Sequence, residues 1–178
     1  MNTEKIEVLY SQEQIAERVR QLAQQIRAEY GDKNPLFVGI LRSCYVFMAD
    51  FIREFNAPCS VDFLAVSSYG ANHDGIVMSR DVGLAPMDRH VVVLETMLDT
   101  GRTMSFVSGL LARRGVESLK ICTLLDKPSH REAEIEADYV GFTIPDRYVV
   151  GYGLDHQELF RELPYIGVID PEKATEWK

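Results

Sequence analysis

The segment His90-Val91-Val92-Val93-Leu94-Glu95 carries apolar residues at four consecutive positions between two polar ends. Apolar residues at every position, rather than at alternate positions, indicate a strand that is covered on both faces. Strands of this kind form parallel sheets with helices packed on either side. This segment therefore restricts the chain to the α/β fold class.

Strands and helices alternate through the middle of the chain. The predicted strands lie at 36–40, 61–66, 90–95 and 118–125, and the predicted helices at 45–55 and 103–114. Alternation of this kind builds βαβ units, in which parallel strands are connected by helices on both faces of the sheet. A further helix begins at Ser11, where Gln14 completes a capping box, and ends at Gly31.

The two ends of the chain stand apart from this alternation. Short strands are predicted at 139–144, 148–153 and 165–169. A length of 178 residues fits one domain. We predict a single domain over 1–178, with a central parallel sheet of about five strands in a core at about 30–130, and a small hood from about 1–29 and 131–178.

Residues 67–90 interrupt the pattern with polar residues and turn formers. A loop of this length in a compact domain is usually functional or mobile. The alternative interpretation is a plain surface hairpin, and the sequence leaves both open.

The charge of the chain limits its partners. The sequence has 19 lysines and arginines against 27 aspartates and glutamates, a formal net charge of −8. This balance argues against a nucleic-acid coat and a polybasic membrane anchor. No apolar run approaches the roughly 18 residues of a membrane span, and the N-terminus shows no secretory signal pattern. We therefore expect a cytoplasmic protein that binds neither nucleic acid nor membrane.

The cysteines and histidines form no recognisable metal-binding pattern. Cys44, Cys59 and Cys122 are too few and too scattered for a disulfide framework or a Cys-x-x-Cys site, so buried free thiols are expected. The histidines share no metal-ligand spacing and suggest no catalytic triad. They are His73, His90, His130 and His156.

The turn after the strand at 90–95 has the features of a phosphate-binding cradle. Ligands in open parallel sheets bind beyond the carboxyl ends of strands, and here the chain reads Glu95-Thr96-Met97-Leu98-Asp99-Thr100-Gly101-Arg102-Thr103 before a helix. Gly101 permits close backbone approach, the two flanking threonines offer hydroxyls, and the free N–H groups of the helix start favour an anion. The P-loop and GxGxxG patterns are absent, which argues against a P-loop NTPase and a dinucleotide-binding domain. The alternative is a capped helix with Asp99 at its mouth and no ligand.

The stretch from Val92 to Thr103 resembles the 5-phosphoribosyl 1-diphosphate (PRPP) signature of type I phosphoribosyltransferases. Further segments resemble the hypoxanthine-guanine phosphoribosyltransferases of that family. They are the purine-binding region at 125–128, 140–146 and 149–155, the pyrophosphate loop at 41–43 and the mobile flap at 67–70. The resemblance runs from about residue 6 to about residue 170, and motifs in this order are highly specific.

The resemblance implies a purine salvage enzyme with the type I phosphoribosyltransferase fold. It would transfer the 5-phosphoribosyl group from PRPP to N9 of hypoxanthine or guanine, giving IMP or GMP and pyrophosphate. The cofactor would be Mg²⁺, held by Glu95 and Asp155. A homodimer or homotetramer is expected.

The resemblance also implies roles for the residues of the phosphate-binding segments. Asp99 would be the general base beside N7 of the purine. PRPP would be bound by Glu95, Thr96, Asp99, Thr100, Gly101, Arg102 and Thr103. Pyrophosphate would be bound by Leu41, Arg42, Ser43 and Arg161.

The purine would be bound by Lys127, Tyr148, Val149 and Asp155. Lys127 would donate to the exocyclic O6 and so select a 6-oxo over a 6-amino purine, while Tyr148 would stack on the ring. Ser68 and Tyr69 would close over the site as a flap.

Three features depart from the family pattern. Thr96 stands where the signature usually has a second acidic residue, and its hydroxyl can still hydrogen-bond a sugar. Arg42-Ser43 replaces the usual Lys-Gly of the pyrophosphate loop, which keeps the charge and adds a Cβ. The segment between Tyr69 and Arg80 is a residue or two shorter than usual.

The missing carboxylate at Thr96 keeps a second function open, a nucleotide-binding regulator of the same fold with weak or lost catalysis. The net charge of −8 argues against a regulator that binds RNA. A pyrimidine or adenine enzyme of this fold is disfavoured by Lys127 together with Tyr148.

Overall fold

The computed structural model describes residues 6–69 and 75–172, with the backbone alone at Ser68 and Tyr69. The helices are α1 Gln12–Tyr30, α2 Tyr45–Phe55 and α3 Arg102–Ala112. The strands are β1 Glu7–Tyr10, β2 Leu36–Leu41, β3 Ser60–Tyr69, β4 Gly75–Arg80, β5 His90–Leu98, β6 Ser118–Asp126, β7 Tyr139–Thr143, β8 Val149–Val150 and β9 Ile166–Val168. A short 3₁₀ turn lies at Pro128–His130.

The large sheet has the strand order β4-β3-β2-β5-β6-β7. All neighbours pair in parallel except β4, which runs antiparallel to β3 at one edge. Five parallel strands are therefore present, as predicted. Strand β5 lies inside the sheet between β2 and β6, and its residues from Val91 to Thr96 are all buried.

Helices cover both faces of the large sheet. Alternate residues of β5 point to opposite faces, so Val92 packs in the cluster of α1 and α2, whereas Val93 packs in the cluster of α3. The α2 cluster contains four fully buried phenylalanines, Phe37, Phe47, Phe51 and Phe55. Each such side chain contributes about 1.5–3 kcal/mol by leaving water.

The capping box predicted for α1 is confirmed. The N–H of Gln14 donates to Ser11 Oγ at 3.3 Å, and the N–H of Ser11 donates to Gln14 Oε1 at 2.9 Å. At the other end, the N–H of Gly31 donates to the carbonyl of Arg27 at 2.8 Å. Polar groups that the helix leaves unpaired at its ends are thus satisfied locally.

A small sheet draws its strands from both ends of the chain, and we propose that it is the hood. Strand β9 pairs antiparallel with β1 on one side and β8 on the other. Two elements that the sequence assigns to the hood lie elsewhere. Strand β7 pairs with β6 in the large sheet, and α1 packs on α2 and β7. A short strand such as β7 carries no pattern that assigns it to one sheet or the other.

Within the described residues, the segment 67–90 contains a hairpin rather than one long loop. Strand β3 runs three residues past its predicted end and pairs antiparallel with β4. After β4, the backbone N–H groups of Gly83 and Leu84 donate to the carboxylate of Asp62 at 2.6 and 2.8 Å. Residues 70–74 lie outside the described part of the chain.

The cysteines are free, as predicted, with Cys44 and Cys122 buried and Cys59 partly buried. Burial raises the pKa of the Cys44 and Cys122 thiols far above the ordinary range, so both stay protonated. Over the described ranges, no helix combines the length and the apolar character that a membrane crossing needs.

Candidate active site

The carboxyl end of β5 leads into α3 through a tight turn. Gly101 is the N-cap of α3 and has a φ of +83°, in the left-handed region. A Cβ at this position would lie 2.6 Å from Ile135 Cγ2 and 2.9 Å from Arg131 Cδ. Glycine is therefore required both by the backbone conformation and by the neighbouring segment. Since glycine offers no capping side chain, the N–H groups of the first turn of α3 can bind an anion.

A neighbouring loop holds this turn in place. The N–H groups of Glu132 and Ala133 donate to the carbonyl of Thr100 at 2.9 and 3.1 Å. Arg102 Nε lies 2.6 Å from the carboxylate of Glu132. These contacts fix the backbone of the predicted phosphate cradle before any ligand arrives.

A cleft of about 160 Å³ opens beside the turn. Most of the predicted PRPP-binding residues line it, namely Glu95, Asp99, Thr100, Gly101 and Thr103. Ser43 of the predicted pyrophosphate loop and Leu154 complete its wall. The structure thus brings together segments that are far apart in the sequence.

The predicted pyrophosphate loop packs between the cleft and the segment that precedes Asp155. The Leu41–Arg42 peptide bond is cis, and Ser43 Oγ donates to Glu95 Oε1 at 3.1 Å. A Cβ on Gly153, whose φ is +95°, would lie 2.1 Å from the carbonyl oxygen of Ser43. Gly153 therefore allows the two segments to approach each other.

Asp99 faces two cationic groups from the segment after β6. Lys127 Nζ, which is almost buried, lies 3.6 Å from Asp99 Oδ1 and 2.8 Å from Asp146 Oδ1. His130 Nδ1 lies 2.7 Å from Asp99 Oδ1. The predicted general base and the predicted purine-reading lysine are therefore neighbours. Because Gly101 is the N-cap, the interpretation of Asp99 as the cap of α3 is wrong.

Tyr148 and Val149, two further predicted purine-binding residues, differ in what they can offer. Tyr148 is 44% exposed and lines a cavity of about 470 Å³ together with Asp146 and Arg147. Its ring contacts His156 in an edge-to-face arrangement with centroids 5.4 Å apart, and its exposed part can stack on a base. Val149 is buried in β8 opposite Val168, so only its backbone can contact a ligand.

The two arginines predicted to bind pyrophosphate share one carboxylate that the sequence reasoning missed. Glu158 is paired with Arg42 and lies 3.3 Å from Arg161 Nη2. Arg161 Nη2 also lies 2.8 Å from Asp155 Oδ1, and the N–H of Glu158 donates to Asp155 Oδ2 at 2.9 Å. The cluster places the predicted metal ligand Asp155 next to Arg161, and Glu158 links it to Arg42.

The predicted flap residues Ser68 and Tyr69 lie at the end of β3, opposite Ile76 and Gly75 of β4. Their side chains are outside the described residues, as is Gly70. Their role as a flap stays a prediction.

Comparison with known proteins decides the family. The family model described as "Phosphoribosyl transferase domain" matches residues 5–157. The chain belongs to the phosphoribosyltransferase family. It is 42% identical to the hypoxanthine-guanine phosphoribosyltransferase of Bacillus subtilis over 167 residues, 92% of this chain and 93% of the relative. The crystal structure of a hypoxanthine phosphoribosyltransferase from Staphylococcus aureus matches with a TM-score of 0.93 and 42% identity over 97% of this chain and 98% of that one.

A longer relative matches over one part of its length. The bifunctional protein TilS/HprT of Listeria monocytogenes is 42% identical over 172 residues, which are 95% of this phosphoribosyltransferase. The chain spans 26% of the length of that relative. With the structural match, these relatives confirm the predicted fold class.

Glu95 is a buried acid that lines the cleft of this phosphoribosyltransferase. Its carboxyl accepts hydrogen bonds from the N–H of Thr96 at 2.9 Å and from the hydroxyl of Ser43 at 3.1 Å. Burial nevertheless raises its pKa to about 7. The carboxyl is therefore harder to ionise than that of an exposed glutamate.

We expect Glu95 to make the metal-free protein less stable as the pH rises. Below pH 4.5 the carboxyl is protonated in both states, and between 4.5 and about 7 only the unfolded chain ionises. At 1.36 kcal/mol per pKa unit, about 3 kcal/mol of unfolding free energy is lost across this window. Urea unfolding of the wild type and of Glu95→Gln at pH 4.5 and pH 8 measures this loss. The difference in unfolding free energy between the two proteins isolates Glu95, because all other titrating groups are the same in both. A difference that is equal at the two pH values would contradict the expectation.

Thr96 is fully buried, and its hydroxyl has no hydrogen-bond partner among the described residues. Its neighbours Glu95 and Met97 line the cleft. That Thr96 binds PRPP stays a prediction.

We expect Thr96→Asp to destabilise the protein without improving PRPP binding. The new carboxylate would be buried beside Glu95, at a cost of about 3 kcal/mol or more. Thr96→Val is the matched control, and removing the unpaired hydroxyl should stabilise the fold by about 1 kcal/mol. Urea unfolding and PRPP saturation kinetics measure both effects. An Asp variant that is as stable as the wild type and has a lower KM for PRPP would show that the side chain at position 96 reaches the ribose.

Proposed function

We propose that this chain is a purine salvage enzyme that transfers the 5-phosphoribosyl group of PRPP to N9 of hypoxanthine or guanine. The products are IMP or GMP and pyrophosphate. The observation that carries the proposal is the position of Lys127 Nζ, 3.6 Å from the Asp99 carboxylate beside the phosphate-binding turn. A 6-oxopurine needs this pair, because one group accepts the N7 proton and the other donates to O6. The names of the similar proteins from Bacillus subtilis and Staphylococcus aureus support it.

Lys127 determines which purine fits. An ammonium group only donates hydrogen bonds, and Asp146 holds this one at 2.8 Å. The O6 of hypoxanthine or guanine accepts a hydrogen bond, whereas the 6-amino group of adenine would place two donors face to face. Tyr148, with its exposed ring, stacks on the bound base.

Asp99 and the phosphate-binding segments divide the chemistry between them. As N9 bonds to the anomeric carbon, the bond from that carbon to pyrophosphate breaks and Asp99 takes the proton from N7. The backbone N–H groups and hydroxyls from Thr100 to Thr103 hold the 5′-phosphate. The loop at 41–43 and Arg161 hold the pyrophosphate, so that both ends of PRPP are fixed.

We also propose a magnesium ion that would take Glu95 and Asp155 as its protein ligands. Mg²⁺ usually takes one or two carboxylates from the protein and its remaining ligands from water and substrate phosphates. The buried Glu95 carboxyl, with a pKa of about 7, is a donor that a nearby cation would keep ionised. When bound, the ion neutralises the charge on the leaving pyrophosphate.

We also propose a cytoplasmic location, assembly as a homodimer or homotetramer, and no nucleic-acid or membrane partner. The net charge of −8 supports the absence of a nucleic-acid partner, because phosphate backbones bind basic surfaces.

Release of pyrophosphate tests the proposed function against the regulator alternative that Thr96 keeps open. With PRPP and Mg²⁺ present, the enzyme releases pyrophosphate when hypoxanthine is added and forms IMP in equal amount. A regulator would bind IMP or GMP, as calorimetry would detect, and would release no pyrophosphate. The same mixture without hypoxanthine is the control for PRPP hydrolysis.

A further inference from the structure

His130 lies within hydrogen-bond distance of Asp99, and the proposed reaction gives it no role. It ends the 3₁₀ turn Pro128–His130, directly after Lys127. Its Nδ1 lies 2.7 Å from Asp99 Oδ1, whereas Lys127 Nζ lies 3.6 Å from the same oxygen. The contact joins two segments that are 31 residues apart, so only the fold brings them together.

We propose that His130 is a positioning residue, which donates a hydrogen bond from Nδ1 to Asp99 and fixes the carboxylate that accepts the N7 proton. The inference rests on the proposed function, in which Asp99 is the general base. A single hydrogen bond to one oxygen leaves the other carboxylate oxygen available to the purine. A base held in one orientation reacts faster than one that rotates, because its orientation is settled in advance.

The chemistry of the pair determines which ring nitrogen carries the proton. An ionised carboxylate only accepts hydrogen bonds, so Nδ1 must carry a hydrogen whether the ring is neutral or protonated. The hydrogen bond therefore exists in both states, and only the charge on the ring changes. The side chain is 47% exposed, so the ring exchanges protons with solvent directly.

The groups around His130 set the direction of its effect. Asp99 faces it from the turn before α3, and Lys127 precedes it on its own segment. Asp146, before β8, is paired with Lys127 and interacts electrostatically with the ring of His130. Protonation of His130 would add a positive charge beside Asp99, which makes Asp99 a weaker proton acceptor. The turnover rate should thus be lower while His130 is protonated than after the ring has lost that proton.

Two substitutions separate a positioning role from a merely structural contact. Asn places an amide N–H close to where Nδ1 of histidine lies and does not titrate, so His130→Asn should keep kcat at pH 8 within about threefold. It should also lose the part of the pH dependence of kcat that the charge on His130 causes. His130→Ala should lower kcat about tenfold, the effect of one hydrogen bond to a charged group, with the KM for PRPP unchanged.

The matched control is His90→Asn. His90 lies at the far end of β5, where its Nδ1 is 2.8 Å from Ser118 Oγ. This variant should show the wild-type pH profile. The proposal is overturned if His130→Asn retains the wild-type pH profile, or if His130→Ala retains the wild-type kcat.

A measurement without turnover distinguishes failure of this inference from failure of the proposed function. Nitrogen-15 NMR at pH 8 shows which ring nitrogen carries hydrogen, and the signals of His130 are assigned by their loss in His130→Asn. We expect the Nδ1–H form in the wild type and its loss in Asp99→Ala. The Nε2–H form in the wild type would overturn the inference, whatever the activity. The Nδ1–H form in a protein without turnover would support the contact and count against the proposed function alone.

Discussion

Replacing Asp99 by Asn should lower kcat by 10²- to 10⁴-fold while the KM for PRPP changes little. That range is typical of a lost general base. The amide keeps the size of the side chain and its place beside Lys127 and His130 but cannot accept the N7 proton. We expect little change in PRPP binding, because the proposed contacts to the 5′-phosphate come from the backbone at Thr100 to Thr103, which the N–H groups of Glu132 and Ala133 hold in place. Steady-state kinetics with hypoxanthine saturating measure both constants.

Asp138→Asn is the matched control for that change. Asp138 pairs with Lys120 at 2.7 Å and accepts from the N–H of Ile121 at 2.8 Å, so it holds the chain at β6 and has no part in the proposed site. The control should retain wild-type kcat. Turnover of Asp99→Asn close to that of the control would remove Asp99 from the role of general base.

Lys127→Ala should raise the KM for hypoxanthine and guanine by about 10- to 150-fold. A hydrogen bond from a charged donor is worth about 1.5–3 kcal/mol, and each 1.4 kcal/mol is a factor of ten. The change also leaves Asp99 and Asp146 without the ammonium group that lies between them. Initial rates at varied base concentration, with PRPP saturating, measure the effect.

Lys120→Ala is the matched control for Lys127→Ala. Lys120 is paired with Asp138 near the start of the strand, and its loss should leave the KM for both bases unchanged. A KM for hypoxanthine that is equal in Lys127→Ala and the wild type would contradict the role of Lys127.

The sequence predicts the centre of the fold better than its ends. Strand β5 is apolar at each position from Val91 to Leu94 because both of its faces are covered, and that pattern identifies it without knowledge of its neighbours. The capping box of α1 is likewise local, since Ser11 and Gln14 are three residues apart. Strand β7 has only five residues and gains its identity from pairing with β6, so its place in the large sheet could not be predicted.

In the candidate site, too, the features set by local sequence could be predicted and those set by tertiary contacts could not. The turn around Gly101 follows from local pattern, because a strand, a glycine and a helix start occur in sequence. His130 and Glu158 were missed because their contacts join positions 31 and 116 residues apart. A turn histidine or glutamate in a sequence gives no sign of such a partner. Thr96 is fully buried although its neighbours Glu95 and Met97 line the cleft. The sequence could not predict this difference, because it depends on tertiary packing.

The most direct test of the account is a panel of initial rates with PRPP, Mg²⁺ and one base at a time. Lys127 and Asp99 side by side predict that hypoxanthine and guanine yield IMP and GMP, while adenine and uracil react at least about 100-fold more slowly. Product analysis by chromatography distinguishes the nucleotides. Comparable rates with adenine, or no nucleotide from either 6-oxopurine, would contradict the assignment of this site to hypoxanthine and guanine.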